Sequence, residues 1–134
     1  MEPLIQLLHT VQPMSPSLEA HLRSKIKFHK YRKGQKIATA GQIAPLILYL
    51  ERGLIRSCSI VNEKKVSNYF MREGDIIISV LSYFLGIPAV DSIEAEEDCS
   101  CWGITRAEQE EAYELFMEFN IHGRKIVAAY YCRF

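Results

Sequence analysis

Long apolar runs are absent from this chain. One of the longest stretches without a charge covers residues 76–90, and as a helix it would reach only about 22 Å into a hydrocarbon layer of about 30 Å. It also contains Gly86 and Pro88, so a membrane-spanning helix is excluded and no membrane partner is expected. The first residues, Met1-Glu2-Pro3, have neither the basic nor the apolar segment of a secretory leader. Cysteine is scarce: four in 134 residues do not make a disulfide scaffold. Without a leader the expected compartment is the reducing cytoplasm, with Cys58, Cys99, Cys101 and Cys132 as thiols. Net charge is missing too, since 16 basic residues meet 16 acidic ones. A pI near 6.9 argues against the strongly basic surface of a nucleic-acid-binding domain.

What is present describes one globular domain. Hydrophobic residues make up 49% and charged residues 24%, a balance that is neither disordered nor fibrous. A chain of this mass folds to about 7,200 Å² of surface from about 22,000 Å² extended, enough burial for a single core. The charge is unevenly spread. Residues 1–36 carry seven Lys or Arg against two acids, and residues 94–123 carry nine acids against a single Arg. The basic stretch reads as a solvated helix face followed by a turn.

Periodicity divides the chain in three. Leu4, Ile5, Leu7, Leu8 and Val11 mark a short helix ending before Pro13. Ser15-Pro16 then offers a cap and a first helical position, with Leu18, Leu22 and Ile26 on one face. Past Phe28 the period shortens towards two, and Gly34, Gly41, Gly53, Gly74 and Gly86 punctuate short runs of β-formers. Strands are expected over residues 46–50, 54–61, 65–70, 90–95 and 99–104, with Asn62-Glu63-Lys64 at a hairpin tip. This spacing predicts an antiparallel barrel or jelly roll. Thr105-Arg106-Ala107-Glu108 fits a capping box, opening a helix through residues 110–119, and a last helix is expected from about Gly123. The expected fold is therefore mainly β with flanking helices: N-terminal helices in residues 1–28, a β-roll of about eight strands over 29–104, and C-terminal helices in 105–134.

Enzyme chemistry finds no support. A barrel-borne metal site needs two or three His and a Glu from neighbouring strands, whereas His9, His21, His29 and His122 lie before or after the clearest strands. No catalytic residue, metal or cofactor is expected. Cys99 and Cys101 share one strand face and read as small buried hydrophobes. The run Glu94-Ala95-Glu96-Glu97-Asp98 reads as a solvated charged turn.

The glycine pattern carries a resemblance. Lys33-Gly34-Gln35-Lys36-Ile37, Gly41, Leu48-Tyr49-Leu50-Glu51-Arg52-Gly53-Leu54-Ile55-Arg56 and Phe70-Met71-Arg72-Glu73-Gly74-Asp75 resemble the cyclic-nucleotide-binding domain, in particular the sensor domain of Crp/Fnr-type transcription regulators. The resemblance covers residues 15–134 and implies a double-stranded β-helix of the jelly-roll type. It also implies a phosphate-binding cassette after Gly74-Asp75, in which backbone N–H groups and an Arg hold a cyclic phosphate while a Glu accepts from the ribose. Here Ile78 stands where that pattern has Gly, Ser79 where it has Glu, and Ala89 where it has Arg; Ser92 alone matches a ligand-contacting position, and Asp91 adds negative charge. An Arg–phosphate pair is worth a few kcal/mol, and each 1.4 kcal/mol is tenfold in affinity. Ordinary cyclic AMP or cyclic GMP binding is therefore not expected. Two readings stay open: another small effector held by Ser79, Asp91 and Ser92 with Val80 and Leu81 as apolar wall, or a relic packed shut.

The last helix bears Ile126, Val127, Tyr130, Tyr131 and Phe134 as a broad apolar stripe, wide enough to invite a second chain. A homodimer through Ile126, Val127, Tyr130 and Tyr131 is expected. The helix runs to residue 134 without a stop signal, the pattern of a piece of something longer. The resemblance then implies the sensory and dimerising half of a Crp/Fnr-type regulator, with DNA bound only by a further C-terminal domain. The alternative is a regulatory cyclic-nucleotide-binding module of another effector, such as a kinase or channel.

Overall fold

Why these residues fold as they do is clearest at the helix starts. The computed structural model describes residues 1–44 and 46–133, except the side chains of Val80, Leu81, Phe84, Tyr130 and Arg133. The chain divides into two compact units, a helical one from residues 1–26 with residues 107 onward, and a β unit from Lys27–Arg106. In the helical unit α1 spans Glu2–Val11 and α2 spans Pro16–Lys25. Ser15 caps α2 as expected, its Oγ accepting the Leu18 N–H at 3.2 Å. Its own hydroxyl donates to Glu118 Oε1 at 2.5 Å, tying two distant segments together. Leu4, Ile5, Leu8, Leu18, Leu22, Ala112 and Phe119 are buried.

Helices α4 (Arg106–Leu115) and α5 (Phe119–Arg133) complete the unit. The first starts directly after Thr105, where the capping box put it. The break between them comes earlier than the sequence suggested, because the Phe119 N–H turns back to Phe116 O at 2.9 Å and the Asn120 N–H to Met117 O at 3.1 Å, a tight i to i−3 turn. Gly123 lies inside α5 rather than at its start. A Cβ there would come 2.5 Å from the Tyr113 hydroxyl, so this glycine is a close-approach site and not a helix signal. Helix α5 also holds α1: buried His122 presents Nε2 to Leu8 O at 3.1 Å and Gln12 O at 2.7 Å. Both are carbonyl oxygens, so Nε2 carries the proton and satisfies the C-terminal end of α1.

Among the described residues the β unit has eight strands: β1 (Lys27–Tyr31), β2 (Lys36–Ala38), β3 (Leu46–Arg52), β4 (Leu54–Val61), β5 (Lys64–Arg72), β6 (Ile76–Ile77), β7 (Ser92–Ala95) and β8 (Cys99–Thr105). They form two four-stranded sheets, ordered β1-β8-β3-β6 and β2-β7-β4-β5, with every pair antiparallel. This is the jelly-roll arrangement. The β4–β5 hairpin turns through Asn62 and Glu63, at φ 52° and 64°, the two-residue turn whose twist suits antiparallel strands. All five punctuating glycines have positive φ. At Gly53 space is also required, since a Cβ would come 2.6 Å from Cys99 Sγ and 2.8 Å from Asp98 O.

The roll's core packs Tyr31, Leu48, Leu50, Ile55, Ile77 and Ile93 around Cys99 and Cys101. Both cysteines are free and buried, and burial pushes the Cys101 thiol up to about 12, which removes its thiolate reactivity. The third of the four histidines, His29, lies within β1 and so belongs to the roll, not before it; β1 begins two residues earlier than the shortened periodicity indicated.

Candidate functional site

The segment between β5 and β7 is built as a clamp followed by a short helix. At the β5–β6 turn, buried Asp75 accepts the Arg72 N–H through Oδ2 at 2.9 Å, and the turn is pinned to β3 by Gly74 N–H to Leu50 O at 2.8 Å and Leu50 N–H to Asp75 O at 3.0 Å. Strand β6 then sends Ile77 into the core. Helix α3 (Val80–Leu85) follows, with Ser79 at its N-cap position and Gly86 at its C-cap in the left-handed region, φ 67°. The Arg106 guanidinium lies over that C-terminus, where a Cβ on Gly86 would come 2.6 Å from Nη1. A cation here complements the negative end of the helix.

The rest of the segment is stitched to residues 40–44. Buried Ala89 gives its N–H to Gln42 O at 2.9 Å and takes the Gly41 N–H at 2.8 Å. Ser82, fully buried on α3, accepts the Ala44 N–H at 2.7 Å. Ser92 accepts the Ala40 N–H at 3.0 Å. Of the three polar residues the sequence singled out, Ser92 is thus committed to the backbone. On β7 it also shares the face of Glu94, opposite to core residues Ile93 and Ala95. Ser79 and Asp91 are both half-buried and make no side-chain hydrogen bond among the described residues. The side chains of Val80 and Leu81 lie outside the described residues. Sequence reasoning missed Ser82, because a serine inside a six-residue helix carries no motif.

The acidic run is not a solvated turn throughout. Glu94 belongs to β7 and is 4% exposed. Lys65 Nζ lies 2.7 Å and 2.9 Å from its two oxygens, and Arg56 Nη2 lies 2.6 Å from Oε1. Arg56 reaches Glu96 as well, at 2.5 Å, and donates to Ser67 Oγ at 3.1 Å. The bond from Lys65, with Arg56 beside it, holds the Glu94 carboxyl below its ordinary value against the effect of burial. Arg56 stands directly opposite Glu94 in the β4–β7 register, and such cross-strand pairing has no local sequence signature. Only Glu97 and Asp98 are solvated as expected.

On α5, Ile126 is half-buried, whereas Val127 is 42% and Tyr131 84% exposed; the Tyr130 side chain lies outside the described residues. Among the described residues no group of three His, Cys, Asp or Glu is placed to hold a metal, and no helix is long and apolar enough to cross a membrane.

An antiparallel roll with one short helix between β6 and β7 defines a class of fold, and the comparisons place the chain in it. A family model described as cyclic nucleotide-binding domain matches residues 28–115, and the chain belongs to that family. No curated protein matches it in sequence. Among solved structures, a cyclic nucleotide-binding domain from Methylobacillus flagellatus has a TM-score of 0.83 at 14% identity, over 98% of this chain and 78% of that one. The catabolite activator protein of Thermus thermophilus gives 0.74 at 14% identity, over 91% and 56%. The regulatory domain of Toxoplasma gondii PKA, solved with cAMP, gives 0.72 at 10% identity, over 83% and 43%. At these identities the likeness is one of fold. The chain spans about half the length of the activator and kinase-subunit structures.

Proposed function

We propose that this domain is the sensory and dimerising half of a cytoplasmic Crp/Fnr-type bacterial transcription regulator, and that it does not bind cyclic AMP in the ordinary way. The dimer rests on one observation: α5 carries Tyr131 largely and Val127 partly exposed, an apolar face without a partner among the described residues. Burying such a face in a two-fold helix pair recovers about 25 cal/mol per Å². DNA binding would fall to a domain beyond residue 134. The ligand reading rests on Ala89, which offers no cation where the family pattern has Arg, and whose backbone groups are both engaged. Ser79 and Asp91 are the polar groups the cassette leaves for an effector among the described residues, and the Asp91 carboxylate suits a neutral or cationic molecule over a phosphate.

Sedimentation velocity at tens of micromolar tests the assembly. The wild-type chain should run as a dimer, and Val127→Glu with Tyr131→Glu as a folded monomer by circular dichroism. A wild-type monomer at that concentration rejects the proposal. The coding sequence after residue 134 in the parent gene separates the two roles: a helix-turn-helix pattern supports the regulator, and a kinase or channel sequence overturns it.

A further inference from the structure

The first strand of the roll presents a surface that sensing and dimerisation leave unused. Strand β1 is the edge of its sheet, bonded among the described residues to β8 alone, so every second N–H and C=O along it faces outward. Across the sheet, register places Phe28, Trp102, Tyr49 and Ile76 in one row. The row is covered at Tyr49 and Ile76, which are 9% and 8% exposed, and opens at Phe28, which is 45% exposed. Phe28 meets Trp102 edge-on with ring centroids 5.0 Å apart. Exposed Lys27 and Lys30 flank Phe28 along the strand and exposed Arg32 follows the strand's end, and no ion pair or side-chain hydrogen bond engages them among the described residues.

We infer that the β1 edge is a docking surface for an extended acidic segment of a partner protein, added as a further strand. Three observations select that occupant. The free backbone edge supplies main-chain hydrogen bonds to an extended peptide and offers nothing equivalent to a nucleic acid. The unpaired cations favour carboxylates, and Phe28 favours an apolar side chain between them. A continuous polyphosphate is disfavoured because exposed Glu97 and Asp98 lie beside the turn that follows β1, Asp98 Oδ1 accepting the Lys33 N–H at 2.9 Å. Phe28 and Lys30 share one face of the strand and Lys27 lies on the other. An antiparallel segment facing Lys30, His29, Phe28 and Lys27 in turn therefore reads acidic, any residue, apolar, acidic.

Trp102 is the chain's only tryptophan, so its fluorescence reports directly on this edge. The test titrates the intact chain with a capped ten-residue peptide containing Glu-Thr-Val-Glu. Saturable change with a dissociation constant of about 0.1–1 mM is expected, the strength of a transient contact. Lys30→Glu should weaken it about tenfold, and Lys27→Glu with Lys30→Glu should abolish it while circular dichroism stays unchanged. A Lys-Thr-Val-Lys peptide, and a version of the first peptide with its backbone N–H groups methylated, should not bind. Any of four results overturns the inference: no saturable change, equal binding by the double variant, equal binding by the methylated peptide, or equally tight binding by a single-stranded oligonucleotide of matching charge.

Discussion

The single residue that most changes the picture is Glu94. Its carboxylate is nearly buried yet touches both Lys65 and Arg56, and a charge in that position is tolerated only because both cations are there. Its pKa is depressed from 4.5, so its stabilisation is complete above about pH 4.5 and fades as the pH falls towards the lower folded value. Glu94→Gln should cost about 2 kcal/mol at pH 7, with Arg56 still held by Glu96. In urea melts, the variant should lose less stability than wild type between pH 5 and pH 3. Parallel acid limbs for the two proteins would show that the cluster is electrostatically idle. The sequence misled here for a physical reason. Five residues, four of them acidic, look like a turn, and only the pairing of β7 with β4 turns the first of them into the hub of an ion-pair network.

At the scale of elements, the turns and caps were legible and the commitments between distant segments were not. Ser15-Pro16, the Asn62–Glu63 turn and the glycine corners are decided by backbone conformation within a few residues, so one sequence suffices to place them. Strands β2 and β6, of three and two residues, exist because of their partners β7 and β3, and short apolar runs do not announce such pairings. The candidate site divides in the same way. Ser79, Asp91 and Ser92 could be chosen from their place after Gly74-Asp75, but the bond that engages Ser92 comes from Ala40, 52 residues away. With Ser82 and Ser92 holding backbone and no Arg at position 89, calorimetry should find no cyclic AMP or cyclic GMP binding tighter than about millimolar. Micromolar affinity in the wild-type chain would mean that a cation from elsewhere supplies the missing anchor.

For the molecule as a whole, charge is balanced in sum and separated in sequence. A pI near 6.9 leaves no net repulsion between copies at neutral pH, while the basic first quarter and the acidic residues 94–123 attract one another between molecules. Light scattering at low salt should show a solubility minimum within about one unit of the pI, relieved by 0.3 M salt, where the Debye length falls to roughly 6 Å. A minimum that salt deepens would point to apolar association through α5 instead. The overall class of fold was readable because these large-scale features, helix then short strands then helix, survive any local misreading of a boundary.

The pairing of β1 with β8 has a consequence for the history of such domains. Lys27 lies opposite Gly103, so the chain enters and leaves the roll through neighbouring strand ends. A module whose entrance and exit share one doorway can be spliced into a host with little loop-closure entropy. It leaves the host's own path almost uninterrupted. Recombination can therefore move such a roll between unrelated proteins as a cassette, its setting fixed by what is fused to that doorway rather than by the strands themselves.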